Sequence, residues 1–339
     1  MKTRCLMVLY IFSFTYFAAI GTILAETGKQ SLFYDRTQQP GWSGSVGLLA
    51  GILSSKGSEL ARDGNERISS LDATPDRNNE TFPAPLGHTS YTFANRTTLS
   101  FGGDILDGGG FSLSYSLADE TILSLSLPLF LGSYSEVWQD PYLTGQDRIM
   151  TDVDLDAAFG LSVEYIFGSP FSISYGYSKE SVENDFAGES LSARLTSADL
   201  KQLRRDNESH STSLSMTLPL SDHVFLIPSV GFVRTDAEGS ANSFTTNGAD
   251  LTIIYQTDQL EVFGSVYYSD TEYRKVNPVF DTKRKNSSYG VTAGARFLNP
   301  LGWENISIDL IFINYRKNSN IHFYDMREDL LAAGLSYHY

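Results

Sequence analysis

Three carboxylates at two-residue spacing, Asp152, Asp154 and Asp156, form the densest run of side chains capable of chemistry in this chain. On one face of a strand they could hold a divalent cation, share a proton, or give a water-filled opening a negative wall. Glu164 falls on the same parity further along. His88 and Ser90 also share a strand face and are the residue types of a base and a nucleophile. A third residue to orient them is missing from the pattern. Metal-ligand spacing beyond the aspartates is absent, so the reading assigns no catalytic residue, cofactor or metal. Two basic groups complete the set. Lys201, Arg204 and Arg205 close a segment carrying Leu191, Leu195, Leu200 and Leu203, in which Ser197 is placed to cap a short helix. Folded inward, that segment sets its arginines opposite the aspartates; folded outward, it is an amphipathic flap. Arg274, Lys275, Lys283, Arg284 and Lys285 gather before Tyr289, as expected of a solvated rim facing lipopolysaccharide phosphates.

The elements that must carry these groups are strands. Val153, Leu155, Ala157, Phe159, Leu161, Val163 and Tyr165 alternate with Asp152, Asp154, Asp156, Ala158, Gly160, Ser162 and Glu164. A period of two puts the apolar set on one face and the polar set on the other. The same alternation recurs along the chain. Tight turns at Ala94-Asn95-Arg96, Gly168-Ser169-Pro170 and Ser221-Asp222-His223 alternate with long segments at about 54–83, 132–150, 178–209 and 271–287. Short connections on one side and long ones on the other describe an all-β fold: a transmembrane antiparallel up-and-down β-barrel of about 14 strands. Twelve is the alternative count, because strands between Pro85 and Leu117 are short. Closure follows from physics, since in hydrocarbon each backbone amide must be paired within the protein. Trp42 and Trp303 at one rim, and Tyr177, Tyr268 and Tyr289 near the other, are placed as interface girdles.

Both ends of the chain agree with this. Leu331, Ala333, Leu335, Tyr337 and Tyr339 alternate with small or polar residues, and the chain stops on an aromatic. That ending resembles the final strand of outer-membrane β-barrels, which implies recognition by the outer-membrane assembly machinery. At the other end, Lys2 and Arg4 precede an apolar run from Cys5 to Leu24. This reads as a secretory signal peptide at 1–25, followed by a short periplasmic tail at 26–40 and the barrel at 41–339. Cleavage removes Lys2, Arg4 and the single cysteine, so the mature chain is more acidic than the formal net charge of −15. Such acidity excludes a nucleic-acid partner, which needs a basic footprint. Lipopolysaccharide and phospholipid are the expected surroundings, with oligomeric state left open.

Phe225, Ile227, Phe263, Ile311 and Ile313 fall on the inward parity of their strands. Either the register slips there by one residue, which would flip each side chain, or part of the lumen is apolar. The tail before Gly41 is too short for the plug of an energy-coupled transporter. The opening Gly41-Trp42-Ser43-Gly44-Ser45, and the stretch from Arg67-Ile68-Ser69-Ser70-Leu71 to Tyr91-Thr92-Phe93, resemble an uncharacterised proteobacterial outer-membrane family of unknown function. The resemblance implies the same location in the cell outer membrane and carries no activity. The expected role is a porin-like passive channel for small solutes, with weak cation preference from the acidic residues. The alternatives are a non-conducting barrel whose long loops bind an external partner, or a barrel passing hydrophobic compounds.

Overall fold

A computed structural model describes residues 40–339, apart from 74, 105–107, 119 and 129–131. The expected signal peptide and all of the tail but Pro40 lie outside the described residues. Fourteen strands follow in chain order: β1 (Gly41–Lys56), β2 (Asn78–Thr92), β3 (Thr97–Asp104), β4 (Gly108–Ser116) and β5, in two pieces (Ile122–Pro128 and Gly132–Trp138). Next come β6 (Met150–Glu164), β7 (Phe171–Val182), β8 (Asn207–Met216, continued at Leu218–Pro219), β9 (Val224–Ala237) and β10 (Phe244–Gln256). The series ends with β11 (Leu260–Asn277), β12 (Thr282–Leu298), β13 (Ile306–Ser319) and β14 (Met326–His338). One short helix, α1 (Ser197–Lys201), lies between β7 and β8. Each strand runs antiparallel to its neighbours, and β1 closes the ring on β14 from Ser45↔His338 to Lys56↔Arg327. The barrel therefore has fourteen strands, not twelve.

The sequence parity sets the two faces. Val46, Leu48 and Ile52 on β1, and Leu331, Leu335 and Tyr337 on β14, are exposed on the outside, while Leu49, Leu53, Leu330 and Ala332 are buried within. At the rim where both ends of the sheet meet, Trp42 packs on Tyr91 at 5.0 Å between ring centroids, and Tyr91 on Phe93 at 4.8 Å. Tyr268 and Tyr289 stand exposed towards the other rim, directly paired across β11 and β12. A closed barrel with an apolar belt between aromatic edges is built for a bilayer, and it belongs in the bacterial outer membrane.

The rim carrying Gly41 and Tyr339 is called the turn rim here. Its tight connections force left-handed backbone at Arg96, Glu120, Tyr165 and Asn299. At the opposite loop rim, the three long connections are 57–77, 139–149 and 183–206. The expected segment at 271–287 is not a loop: β11 and β12 continue through it and leave only 278–281 as a connection. Likewise β2 begins well inside the expected 54–83 segment, and Gly132–Trp138 is strand. These strands continue past the apolar belt, with outward residues such as Arg234, Glu272 and Lys285 that suit water and headgroups.

Candidate functional site

The aspartate triplet does not face the lumen. Leu155 pairs with Glu180 and Ala157 with Lys179, so Asp156 is an extra residue with no partner across β7. Such a bulge exchanges the two faces of a strand beyond it. Below the bulge, towards the turn rim, Gly160, Ser162 and Glu164 are inward as expected. Above it, Val153 and Leu155 take the inside, with relative exposures of 6% and 2%. Asp152, Asp154 and Asp156 turn outward, where Asp156 accepts a hydrogen bond from the Ser181 hydroxyl at 3.1 Å. Glu164 alone of the predicted carboxylates is buried on the lumen side, near the turn rim.

The basic groups also separate by strand parity. Lys283 and Lys285 point outward to Glu272, at 2.9 and 3.3 Å, and Arg274 pairs outward with Asp236. Arg284, between the two lysines, turns inward and lies over the rings of Tyr324 and Tyr273, at 3.5 and 4.5 Å. In the loop 183–206, the capping residue is Thr196, one position before the expected Ser197, and Asp199 completes a capping box. Lys201 is exposed at the end of α1, and Arg204 approaches Glu189 at 3.9 Å. Arg205 fastens the loop down: it bonds Asp185 at 2.7 Å and the carbonyls of Trp138 and Gln139 at 2.8 and 3.0 Å. These arginines face carboxylates of their own loop, not the aspartates of β6.

Inside, the wall is of two kinds. From β7 to β8 it is lined with small hydroxyls, with Ser174, Ser178, Ser211, Ser213 and Ser215 all buried. From β9 round to β2 two apolar clusters interrupt a wall that is otherwise polar, with Ser229, Asp250, Thr252, Ser265 and Thr292 also buried. Ile227, Ile254 and Phe263 form one buried cluster with Phe225 against it. Leu49, Leu53, Phe82, Ala84, Ile311, Ile313, Leu330 and Ala332 form another. The inward parity of Phe225, Ile227, Phe263, Ile311 and Ile313 is therefore real, and the register does not slip.

The inner face of β13 shows the layering most directly, reading Ser307, Asp309, Ile311, Ile313, Tyr315 and Lys317 from the turn rim upward. At its base Arg296 pairs with Asp309 at 2.7 Å, and Ser336 donates to the same carboxylate at 2.5 Å. The Ser307 hydroxyl meets both Asp309 oxygens at 3.2 Å and His338 Nε2 at 2.9 Å. This serine, histidine and aspartate carry no sequence signal, because Ser307 and His338 lie 31 residues apart on two alternating strands and nothing in the alternation marks which hydroxyls converge. The aspartate engages the serine and the arginine, unlike a base-orienting carboxylate, which binds the imidazole. Ser90, the nucleophile candidate, shares a 2.8 Å hydrogen bond with Ser43. Among the described residues, no group of three His, Cys, Asp or Glu side chains is placed to hold a metal ion.

Above the apolar layer the loops close over the axis. The Tyr142 and Tyr324 hydroxyls meet at 2.7 Å, and Asn277 donates to Tyr324 at 2.8 Å. Tyr142 and Tyr324 come from the connections after β5 and β13, with six strands between them one way round the ring and eight the other. Their bond thus bridges almost the full diameter of the mouth. Ile68, Ala187, Leu195, Leu203, Ala241 and Val279 pack around them, so the connections after β1, β5, β7, β9, β11 and β13 all contribute. Burial pushes both phenols up from their ordinary value.

The loop after β1 is held from below and from the side. Glu59 meets Lys317 at 2.8 Å and Arg284 at 3.3 Å. Burial opposes ionisation of Glu59, but the two cations outweigh it and hold the carboxyl down to about 2. Arg148 donates to the carbonyls of Ser58 and Pro141, at 2.8 and 3.2 Å, and to that of Asn65. Trp138, fully buried, donates to the Leu60 carbonyl at 3.0 Å. Neither Glu59 nor Lys317 stood out in the sequence, because a lone charge in a loop and one on a strand carry no spacing that links them.

A family model described as a protein of unknown function (DUF2860) matches residues 41–338. The sequence has no match among curated proteins. Among solved structures, a FadL homologue of Pseudomonas aeruginosa is similar at 14% identity and a TM-score of 0.40, over 88% of this chain and 90% of that one. The CymD monoaromatic hydrocarbon channel is similar at 11% identity and a TM-score of 0.45, over 89% of each chain. OmpT of Vibrio cholerae is similar at 9% identity and a TM-score of 0.42, over 91% of this chain and all 100% of that one. At these identities and TM-scores none of the three lends this chain a substrate.

Proposed function

This chain belongs to the DUF2860 family of proteins of unknown function, and from that premise we propose that it is an outer-membrane channel for small apolar or amphipathic compounds. The observation that carries the reading is the apolar layer of the lumen, built from inward Leu49, Leu53, Phe82, Ile311, Ile313 and Leu330. These side chains are packed against one another and almost wholly buried, so a hydrocarbon or an aromatic ring would pass by displacing them and would meet an apolar surface that gives water little to bind. The hydroxyl wall opposite suits the polar end of an amphipath. A general diffusion pore with cation preference is the weaker reading, since the aspartates that motivated it stand outside and the mouth is bridged by packed loops.

The loop rim would face the cell exterior and the turn rim the periplasm, as long connections and tight turns sort in such barrels. The charged outward residues above the belt, Lys283 and Lys285 among them, would meet lipopolysaccharide phosphates. Leu331, Ala333, Leu335, Tyr337 and Tyr339 offer the apolar parity that the assembly machinery would read.

The test compares permeants. In a Gram-negative host, whose lipopolysaccharide leaflet slows apolar solutes, expression of the protein should raise accumulation of a radiolabelled alkylbenzene. The purified protein in liposomes should pass sugars poorly in a swelling assay. Rapid sugar permeation with no gain in alkylbenzene accumulation would refute the proposal in favour of an open porin.

A further inference from the structure

Among the described residues the pairing registers leave a gap in the barrel wall, and we infer that this gap is a lateral portal. Resting on the function proposed above, it passes apolar solutes sideways between the lumen and the loop-rim half of the bilayer. Strand β2 pairs with β1 along its whole length, from Gly41↔Thr92 to Ser55↔Asn78. It pairs with β3 only from Gly87 to Thr92. Strands β3 and β4 stop at Asp104 and Gly108, and the second piece of β5 pairs with β6 alone. Between Asn78–Leu86 on β2 and Gly132–Trp138 on β5, no strand fills the wall among the described residues.

The sequence of β2 fits an edge that stays open. The Phe93 amide donates to the Thr97 carbonyl, so odd-numbered residues of β2 aim their backbone groups at the β3 side. Along the unpaired stretch those residues are Asn79, Thr81, Pro83 and Pro85. An unpaired amide in hydrocarbon is costly, and proline has none to leave unpaired. The two prolines occupy the deeper positions, where hydrocarbon surrounds the edge. They also make β2 a poor template for an added strand, which argues against docking of a further β-segment.

The level of the gap is fixed by the register. Pro85 lies opposite Leu48 and Pro83 opposite Ala50, and Ile52, two residues on, pairs with Leu331 of β14. Leu48, Ile52 and Leu331 belong to the lipid-facing belt, whereas Arg327, further up β14, is an outward charge. The gap therefore sits in the loop-rim half of the belt. On its inner side Phe82, Ala84 and Leu86 join the apolar layer of the lumen. Over its top, Trp138 holds Leu60 and Arg62 pairs with Glu80 and Glu328, so the cap is fastened above the unpaired edge.

Two measurements test this in a Cys5→Ser background. The first reads the opening alone: Leu86→Cys in liposomes should react with a lipid-confined maleimide, whereas Ser112→Cys, inward on β4 with partners on both sides, should not. Ala84→Cys replaces Leu86→Cys if the latter does not show the compact unheated gel band of a folded barrel. The second joins Thr81→Cys to Val137→Cys with a bis-maleimide on cells, and should cut alkylbenzene accumulation at least tenfold. A folded barrel in which neither Leu86→Cys nor Ala84→Cys labels from the lipid overturns the portal, whatever is transported. Undiminished accumulation after bridging also overturns it while leaving the channel reading intact. No accumulation by the unbridged protein overturns the channel reading and, with it, the portal's role, even where the cysteine labels.

Discussion

On β6 the face that each side chain takes is set by parity on either side of one bulge. Without Asp156 as an unpaired residue, the alternation from Val153 to Tyr165 predicts a lumen lined by aspartates; with it, the same residues face outward. A bulge leaves no periodic trace in one sequence, which is why the rest of β6 was legible and its upper third was not. A bulky impermeant maleimide should label Asp154→Cys at least about tenfold faster than Ser162→Cys, because the two now lie on opposite faces. Equal rates would restore the acidic lumen. Glu59 supplies a second prediction. Its carboxyl is held at about 2 against an ordinary 4.5, a depressed acid. The stability that it lends the loop is complete above about 4.5 and is lost as pH falls through about 2. Pepsin should therefore cut loop 57–77 increasingly as pH drops through that window. Glu59→Gln should loosen the loop already at neutral pH, by about 1–2 kcal/mol, since Lys317 loses its carboxylate while the site keeps contact with water. A pH-independent cleavage rate in the parent would remove the tether from the account.

At the scale of elements, strand existence was readable almost throughout and strand length was not. Alternation identifies a strand wherever one face meets lipid, but beyond the belt both faces are polar and the period fades. That is why 271–287 reads as a charged loop although Glu272 and Lys285 are paired strand residues. The basic cluster dissolved for the same reason: at a period of two, Lys283 and Lys285 share one face and Arg284 takes the other. Deleting Asp156 should leave a folded, heat-modifiable barrel, since Leu155 and Ala157 keep their partners across β7. Deleting Phe159 should abolish folding, because it reverses the faces within the belt. Folding of both deletions alike would mean that the register is not held by the lipid-facing pattern. In the loop 183–206, Arg205→Ala removes an ion pair and two carbonyl bonds at once. Proteolysis of that loop should rise with a local loss of about 2–4 kcal/mol, while the barrel's own melting stays put. A matching fall in barrel melting would show that cap and barrel unfold as one.

For the whole molecule, the sequence conveyed the barrel, its strand number and its two rims, because each follows from pairing backbone amides in hydrocarbon. The inner apolar layer was half legible: the parity of Ile311 and Ile313 pointed to it, but only the closed ring shows that they meet Leu49 and Phe82 from strands at the start of the chain. The cap was only partly within reach: the inward option for the segment with Leu191, Leu195, Leu200 and Leu203 is met, but the other members come from connections scattered from Ile68 to Tyr324. It also changes what the loop-rim face presents to anything that binds it. Fused through Tyr142, Asn277 and Tyr324, the loops form one continuous relief in place of separate ribbons. An antibody raised against the folded protein would read residues far apart in sequence together. Sera raised against individual loop peptides would learn shapes that the intact surface does not display.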